Sequence, residues 1–292
     1  ALIHLTAIAG RLGVKIDLKK FNQISEKVPV LVNLKPSGTN YMEDFYYGGA
    51  MKAFLKEVSP FLKKGTTTIE GKLLSKVIKE NAKSFHDTEI IRTRKKPFEA
   101  KGGLVSLFGN ICPNGAILKR SAADKSLFET TGKAFVFDDI KEMARLVDSP
   151  KLKISKNDIL VLKNIGPKTS YGMPEAGYLP IPKKLLKKGV KDMIRISDGR
   201  MSGTAFGTII LHVSPESAVK GPFAAVQTGD KIKLSVKNKS LNLLISDTEL
   251  EKRLKNIKSK EPKISRGYLK LYYDTVTQAD EGCDFDFLKY KK

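Results

Sequence analysis

Ser202 lies in the stretch Ile196-Ser-Asp-Gly-Arg-Met-Ser-Gly-Thr-Ala-Phe-Gly-Thr208, among Gly199, Gly203 and Gly207. Glycine has no Cβ, so backbone there can approach a ligand closely, and the stretch reads as an active-site loop. A serine hydroxyl is too weakly acidic to act as a base near pH 7, so that task at Ser202 requires a cation or fixed donors to stabilise its alkoxide. In Gly172-Met-Pro-Glu-Ala-Gly177, Glu175 follows Pro174 in a loop where a carboxylate can face a hard cation such as magnesium. Arg200 and Lys168 are candidates to hold a substrate carboxylate, Arg200 through a bidentate fork. Each has an ordinary structural alternative. Ser202 and Thr204 can satisfy turn backbone, Glu175 can be solvated, and Arg200 and Lys168 can pair with nearby acids.

The remaining chemistry-bearing residues are sparse. His4, His86 and His212 show no metal-ligand spacing, and His212, bordering an apolar strand, reads as a satisfied structural histidine. Lys35-Pro-Ser-Gly38 and Glu43-Asp44 either face the site from the N-terminal portion or form a turn and a helix cap. Cys112 and Cys283 are too few and too far apart for a disulfide framework or a zinc site, which fits a reducing cytoplasm. The net charge of +22 invites a nucleic-acid reading, yet the basic residues are mostly Lys, with nine Arg, and are spread along the chain. No specific nucleic-acid partner is therefore expected. No stretch approaches the roughly 20 apolar residues that span a bilayer, and Ala1–Gly10 has neither an initiator Met nor a basic region before its apolar residues.

The elements that must position these residues are of two kinds. With 292 residues and 41% hydrophobic content, the chain can build sizeable cores. Leu2, Leu5, Ile8, Ala9 and Leu12 recur near helical spacing before Gly13, Asp17–Ile24 reads as a capped helix, Val30–Leu34 as a buried strand, and Gly49–Val58 and Lys72–Ala82 as helices. The charge-rich His86–Phe98 with its Lys96-Pro97 step reads as a linker. Beyond it, β-prone runs recur at Leu104–Phe108, Ala116–Leu118, Ala134–Phe137, Ile159–Leu162, Ile209–Val213 and Ile232–Val236, with helices near Asp139–Val147 and Thr248–Leu254. Lys183-Lys-Leu-Leu-Lys-Lys188 reads as a short solvated helix with Leu185 and Leu186 inward. The pattern predicts α/β packing over residues 1–97 and a β-barrel or sandwich with appended helices over 98–292.

Around the Ser202 loop, with His212-Val-Ser-Pro-Glu216 and the Thr228-Gly-Asp230 turn behind it, the chain resembles the dihydroxy-acid and sugar-acid dehydratase family. The likeness extends through Val28–Gly38, Gly102-Gly-Leu104, Gly109-Asn110, Gly115–Lys119, Lys163–Lys168, Gly172–Glu175 and the tail Gln278–Leu288. It implies a C-terminal β-barrel-like swivelling domain after a partial N-terminal α/β domain, this chain being the C-terminal half of the family's length. It also implies a hydro-lyase converting a 2,3-dihydroxy carboxylic acid to a 2-keto acid. Ser202 matches the catalytic serine, Thr204 a neighbouring polar position, and Glu175 a magnesium-binding glutamate. The iron–sulfur cluster, 2Fe-2S or 4Fe-4S, is expected to be held upstream of residue 1, so that this chain alone is inactive. The tail looks more like the sugar-acid branch, such as arabinonate dehydratase, than the branched-chain amino-acid branch. A cytoplasmic dimer or tetramer acting on a small-molecule acid is the implied setting. From another class, a basic nucleic-acid-binding module would use Tyr268, Tyr272 and Tyr273 as stacking platforms.

Overall fold

Ile159-Leu-Val-Leu162 is apolar at every position because both of its faces are buried, as in a strand covered on two sides. Ile159 and Val161 join one apolar cluster and Leu160 and Leu162 another. In the computed structural model, which describes residues 1–81, 83–169, 179–202, 205–257 and 264–290, this segment is the fourth strand of a closed barrel. The strands are β1 (Val105–Gly109), β2 (Cys112–Leu118), β3 (Glu129–Phe137), β4 (Ile159–Leu162), β5 (Arg195–Ser197), β6 (Ile209–Ser214), β7 (Lys231–Ser235) and β8 (Ser240–Leu243). They follow the order β1-β2-β6-β5-β4-β3-β7-β8, and a parallel pairing of Phe108 with Ser240 closes the ring.

The run β3-β4-β5-β6 is parallel, as is the β1–β8 closure, and the other ladders are antiparallel. Parallel neighbours need crossover connections. The helix Ile140–Leu146, capped by Asp139 accepting Glu142 N at 2.8 Å, lies in the β3–β4 crossover, and the helix Lys183–Leu186 in the β4–β5 crossover. The β5–β6 crossover is the stretch 198–208, which contains Ser202 and has no helix among its described residues. That places the candidate loops at the carboxyl ends of parallel strands, where α/β sheets commonly bind ligands.

The barrel belongs to a compact unit of Ala1–Phe21 with Leu104–Lys292, and Asn22–Gly103 forms the other. Sequence patterning set the division at 97/98. In the structure, the stretch His86–Phe98 packs within the second unit: Ile91 is fully buried with Phe45 and Ala53, and His86 Nε2 donates to Ile91 O at 2.6 Å. An apolar pair, Ile90-Ile91, inside a charged run is enough to anchor it. Val30–Leu34 is extended but makes isolated bridges to Glu99, Ile91 and Asn40 instead of a ladder. The helices Ala50–Val58 and Leu74–Glu80 fall where the spacing predicts them.

Two helices divide their apolar residues between buried and exposed positions, the first exposing an apolar face as the sequence reading expects and the second departing from it at Leu186. The helix Leu2–Arg11 buries Leu2, Ile3 and Thr6, Thr6 Oγ1 donating to Leu2 O at 3.1 Å, while Leu5, Ile8 and Leu12 are exposed. In the one-turn helix Lys183–Leu186, Leu185 is buried and Leu186 is exposed, since successive positions on a helix point about 100° apart.

Candidate active site

Ser202 lines an open cavity of about 500 Å³ with Pro180, Ile181, Lys183, Arg195 and Phe206. Ala205 N donates to Ser202 O at 2.9 Å, so the serine opens a turn. A second cavity of about 350 Å³, at the end of β4, is lined by Lys163, Asn164, Thr169 and Ser217. Thr204 and Glu175 lie outside the described residues.

The two other sequence candidates do not line the Ser202 cavity. Lys168 Nζ donates to the carbonyl of Tyr273 and, at 3.4 Å, to that of Asp274, and it sits 5.0 Å from the Tyr273 ring centroid. Arg200 is half-buried, and its charge reaches both His212 and Cys283. Asp44 accepts Tyr41 N at 2.7 Å, which makes Glu43-Asp44 a helix start.

Buried charges that the sequence did not distinguish tie the loop bases together. At the exit of the Ser202 loop, Arg195 Nη2 donates to Phe206 O at 2.8 Å and pairs with Asp192 at 3.3 Å, both side chains being almost fully buried. Arg195 Nη1 also donates to Leu179 O at 3.2 Å, within the β4–β5 crossover and ahead of its helix. Asp192 in turn accepts Thr208 N at 2.8 Å and Thr208 Oγ1 at 2.7 Å. Gly207, at φ +113°, has to be glycine, because a Cβ there would meet Arg195 Nη2 at 2.1 Å.

At the entry to the same loop, fully buried Asp198 accepts Asn164 N at 3.2 Å, Ile165 N at 3.1 Å and Ser217 N at 2.9 Å. One carboxylate thus joins the ends of β4, β5 and β6. Burial pushes its carboxyl upward, against the pull of those donors. A Cβ on Gly199 would lie 2.5 Å from Ile165, so glycine permits this approach of the β4 and β5 loops. Glu216 accepts Lys168 N at 3.0 Å and Gln278 Nε2 at 2.7 Å. Burial, then the charge of Asp198, pushes Glu216 up to about 7.

His212 takes φ +56° within β6 and donates its N–H to Gly199 O at 3.0 Å. Its ring is buried as the sequence implies, but Nδ1 has no hydrogen-bond partner among the described residues. Burial first, with contributions that include the charge of Arg200, lowers His212 to about 4.

These shifts have opposite signs in stability. Glu216 moves from 4.5 to about 7 on folding, so its contribution falls as pH rises through that window. His212 moves from 6.5 to about 4, so its contribution is complete above 6.5 and is lost as pH falls towards 4. The slopes oppose each other where the windows overlap. Glu216→Gln is expected to leave a melting temperature that rises more steeply with pH between 4.5 and 6.5 than in the wild type. An identical slope in a melting series across that range would exclude the Glu216 shift.

Residues 89–283 match the dihydroxy-acid/6-phosphogluconate dehydratase C-terminal family, and residues 1–77 match its N-terminal counterpart. The chain is 43% identical over 292 residues to a 6-deoxy-6-sulfo-D-gluconate dehydratase of Pseudomonas putida, covering 99% of this chain and 50% of that protein. It is 43% identical over 297 residues to an L-arabonate dehydratase of Azospirillum brasilense, covering 99% of this chain and 51% of that one. A dihydroxy-acid dehydratase of Dehalococcoides mccartyi is 38% identical over 287 residues, covering 98% and 50% respectively. The chain spans about half the length of the curated relatives it matches.

Proposed function

The chain belongs to the dihydroxy-acid/6-phosphogluconate dehydratase family, and we propose that the whole protein is a hydro-lyase converting a 2,3-dihydroxy carboxylic acid, a sugar acid such as arabinonate, to the 2-keto-3-deoxy acid. The observation that carries the reading is Ser202 on the wall of a cavity, in a crossover at the carboxyl end of parallel strands whose base is pinned by Asp198 and Arg195. In the proposed reaction Ser202, as alkoxide, takes the C2 proton; the C2–H pair forms a C2–C3 double bond, the C3 hydroxyl leaves and takes that proton from the Ser202 hydroxyl to become water, which restores the alkoxide, and the enol becomes the ketone. Thr204 stands in the same loop, and Arg200 and Lys168 are the proposed carboxylate ligands. Lys168 would have to leave the Tyr273 carbonyl to serve.

Cys112 and Cys283 do not fit an iron–sulfur cluster, whose ligands are thiolates. Burial holds both thiols at about 12, and Cys112 lies in the barrel core. Among the described residues no group of three or more His, Cys, Asp or Glu is disposed to hold a metal ion. The cluster and magnesium therefore remain proposals for the whole protein, with no step assigned to them. Glu175 is the proposed magnesium ligand, and Glu175→Gln is expected to raise the magnesium concentration that gives half-maximal activity. An unchanged half-saturation would remove Glu175 from the metal site.

Higher identity to the sugar-acid relatives than to the dihydroxy-acid one supports a sugar-acid substrate. The alternative is a dihydroxy-acid dehydratase of branched-chain amino-acid biosynthesis. Assaying 2-keto acid formation from arabinonate and from a branched-chain 2,3-dihydroxy acid separates the two, and turnover of neither would overturn the reading. No helix is long and apolar enough to cross a membrane. A cytoplasmic setting and association into a dimer or tetramer are proposed.

A further inference from the structure

We propose that Gln278, in the C-terminal tail, is a positioning residue for the Ser202 loop and acts through Glu216. The inference rests on the function proposed above. Its side-chain amide makes a reciprocal pair: Glu216 N donates to Gln278 Oε1 at 2.8 Å, and Gln278 Nε2 donates to Glu216 Oε1 at 2.7 Å. The tail that presents the amide is closed on itself, with Thr277 N donating to Asp284 O at 2.8 Å and Cys283 N to Gln278 O at 3.1 Å. It grips the end of β6 at a second point, where Ser214 Oγ donates to Asp280.

Glu216 hands this constraint onward. Its carboxylate accepts Lys168 N at 3.0 and 3.1 Å, fixing the turn after β4. The next residue, Ser217, donates its N–H to Asp198, which also holds Asn164 N and Ile165 N and stands in the entry to the Ser202 loop. The tail touches this turn again through the Lys168 ammonium on the Tyr273 carbonyl. An amide is the group this position needs, because it donates to a carboxylate and accepts from an N–H of the same residue. Glutamate there would set a second, half-buried carboxylate against the buried one of Glu216. An apolar residue would strand the Glu216 N–H, which is 1% exposed at the residue level.

The experiment uses the natural polypeptide that carries this sequence, with the variants Gln278→Ala, Gln278→Glu and the exchange Glu216→Gln with Gln278→Glu. The exchange keeps one amide and one carboxylate in the pair, moves the charge to residue 278, and leaves one oxygen at residue 216 to accept Lys168 N. Gln278→Glu is expected to lower kcat by about 10²-fold, the scale of a displacement of roughly 1 Å, with KM little changed. Amide hydrogen exchange at Lys168 and Ser217 should accelerate in both single variants, and the exchanged pair should restore both kcat and protection. If Gln278→Glu fails to fold, Gln278→Ala and the exchanged pair carry the test. A lower melting temperature with kcat and both exchange rates unchanged would overturn the proposal, as would an exchanged pair that restores neither. Ser202→Ala run in parallel separates the two readings: turnover surviving it removes the proposed function, whereas the exchange rates need no turnover and still decide Gln278.

Discussion

Ser202→Ala in the complete protein is expected to lower turnover by about 10²–10⁴-fold, the usual contribution of a positioned proton transfer, equivalent to roughly 3–5 kcal/mol of barrier. The fold should survive, because the loop is held at its ends by Arg195 on Phe206 O and by Asp198 on Ile165 N, which the substitution leaves in place. Loss of turnover at an unchanged melting temperature, read with the pH profile of any residual activity, supports Ser202 as the base. Turnover within about tenfold of wild type would refute that role.

Arg195→Ala is expected to destabilise the barrel by about 3–5 kcal/mol, since removing one partner of a buried ion pair leaves the other charge uncompensated. Arg195 and Asp192 are 3% and 4% exposed, so water cannot take over the lost bond. The substitution also frees the carbonyls of Leu179, within the β4–β5 crossover, and Phe206, near the end of the β5–β6 crossover. Arg195→Lys should recover little, because an ammonium is a point charge and cannot span three acceptors as the guanidinium fork does. Urea unfolding measures the loss, and a change under about 1 kcal/mol would mean that the pair does not hold the loops. Replacing both members, Asp192→Asn with Arg195→Met, should cost less than Arg195→Ala alone.

Most of the barrel was legible from local pattern. The apolar runs at Leu104–Phe108, Ile159–Leu162, Ile209–Val213 and Ile232–Val236 became β1, β4, β6 and β7, because a strand buried on one or both faces repeats its apolar residues at short range. The helices Ile140–Leu146 and Asp247–Asn256 fall where the sequence reading puts them, and the structure shows each started by a cap, Asp139 accepting Glu142 N and Ser246 accepting Glu249 N. Two strands were not. Arg195–Ser197 has three residues and Ser240–Leu243 four, too short for periodicity to register, and each exists because a neighbour supplies its ladder.

The same division runs through the site. Ser202 and Glu175 stand out in the sequence as candidates through glycine-rich loops and the family resemblance those loops carry, since both belong to a few consecutive residues. The roles of Asp198, Glu216, Arg195 and Asp192 do not, because a buried acid and a solvated one are spelled alike. Asp198 meets Ile165 across 33 residues, Glu216 meets Lys168 across 48, and Gln278 meets Glu216 across 62. What makes these charges structural is the removal of water around them, which raises the cost of leaving any one unpaired. Sequence alone marked a glycine-rich candidate loop at Ser202 that leads into a strand, and the structure showed the strands on either side of it to be parallel. Only the closing of the barrel decided which buried groups hold that loop, because burial is a property of the assembled chain and of no segment within it.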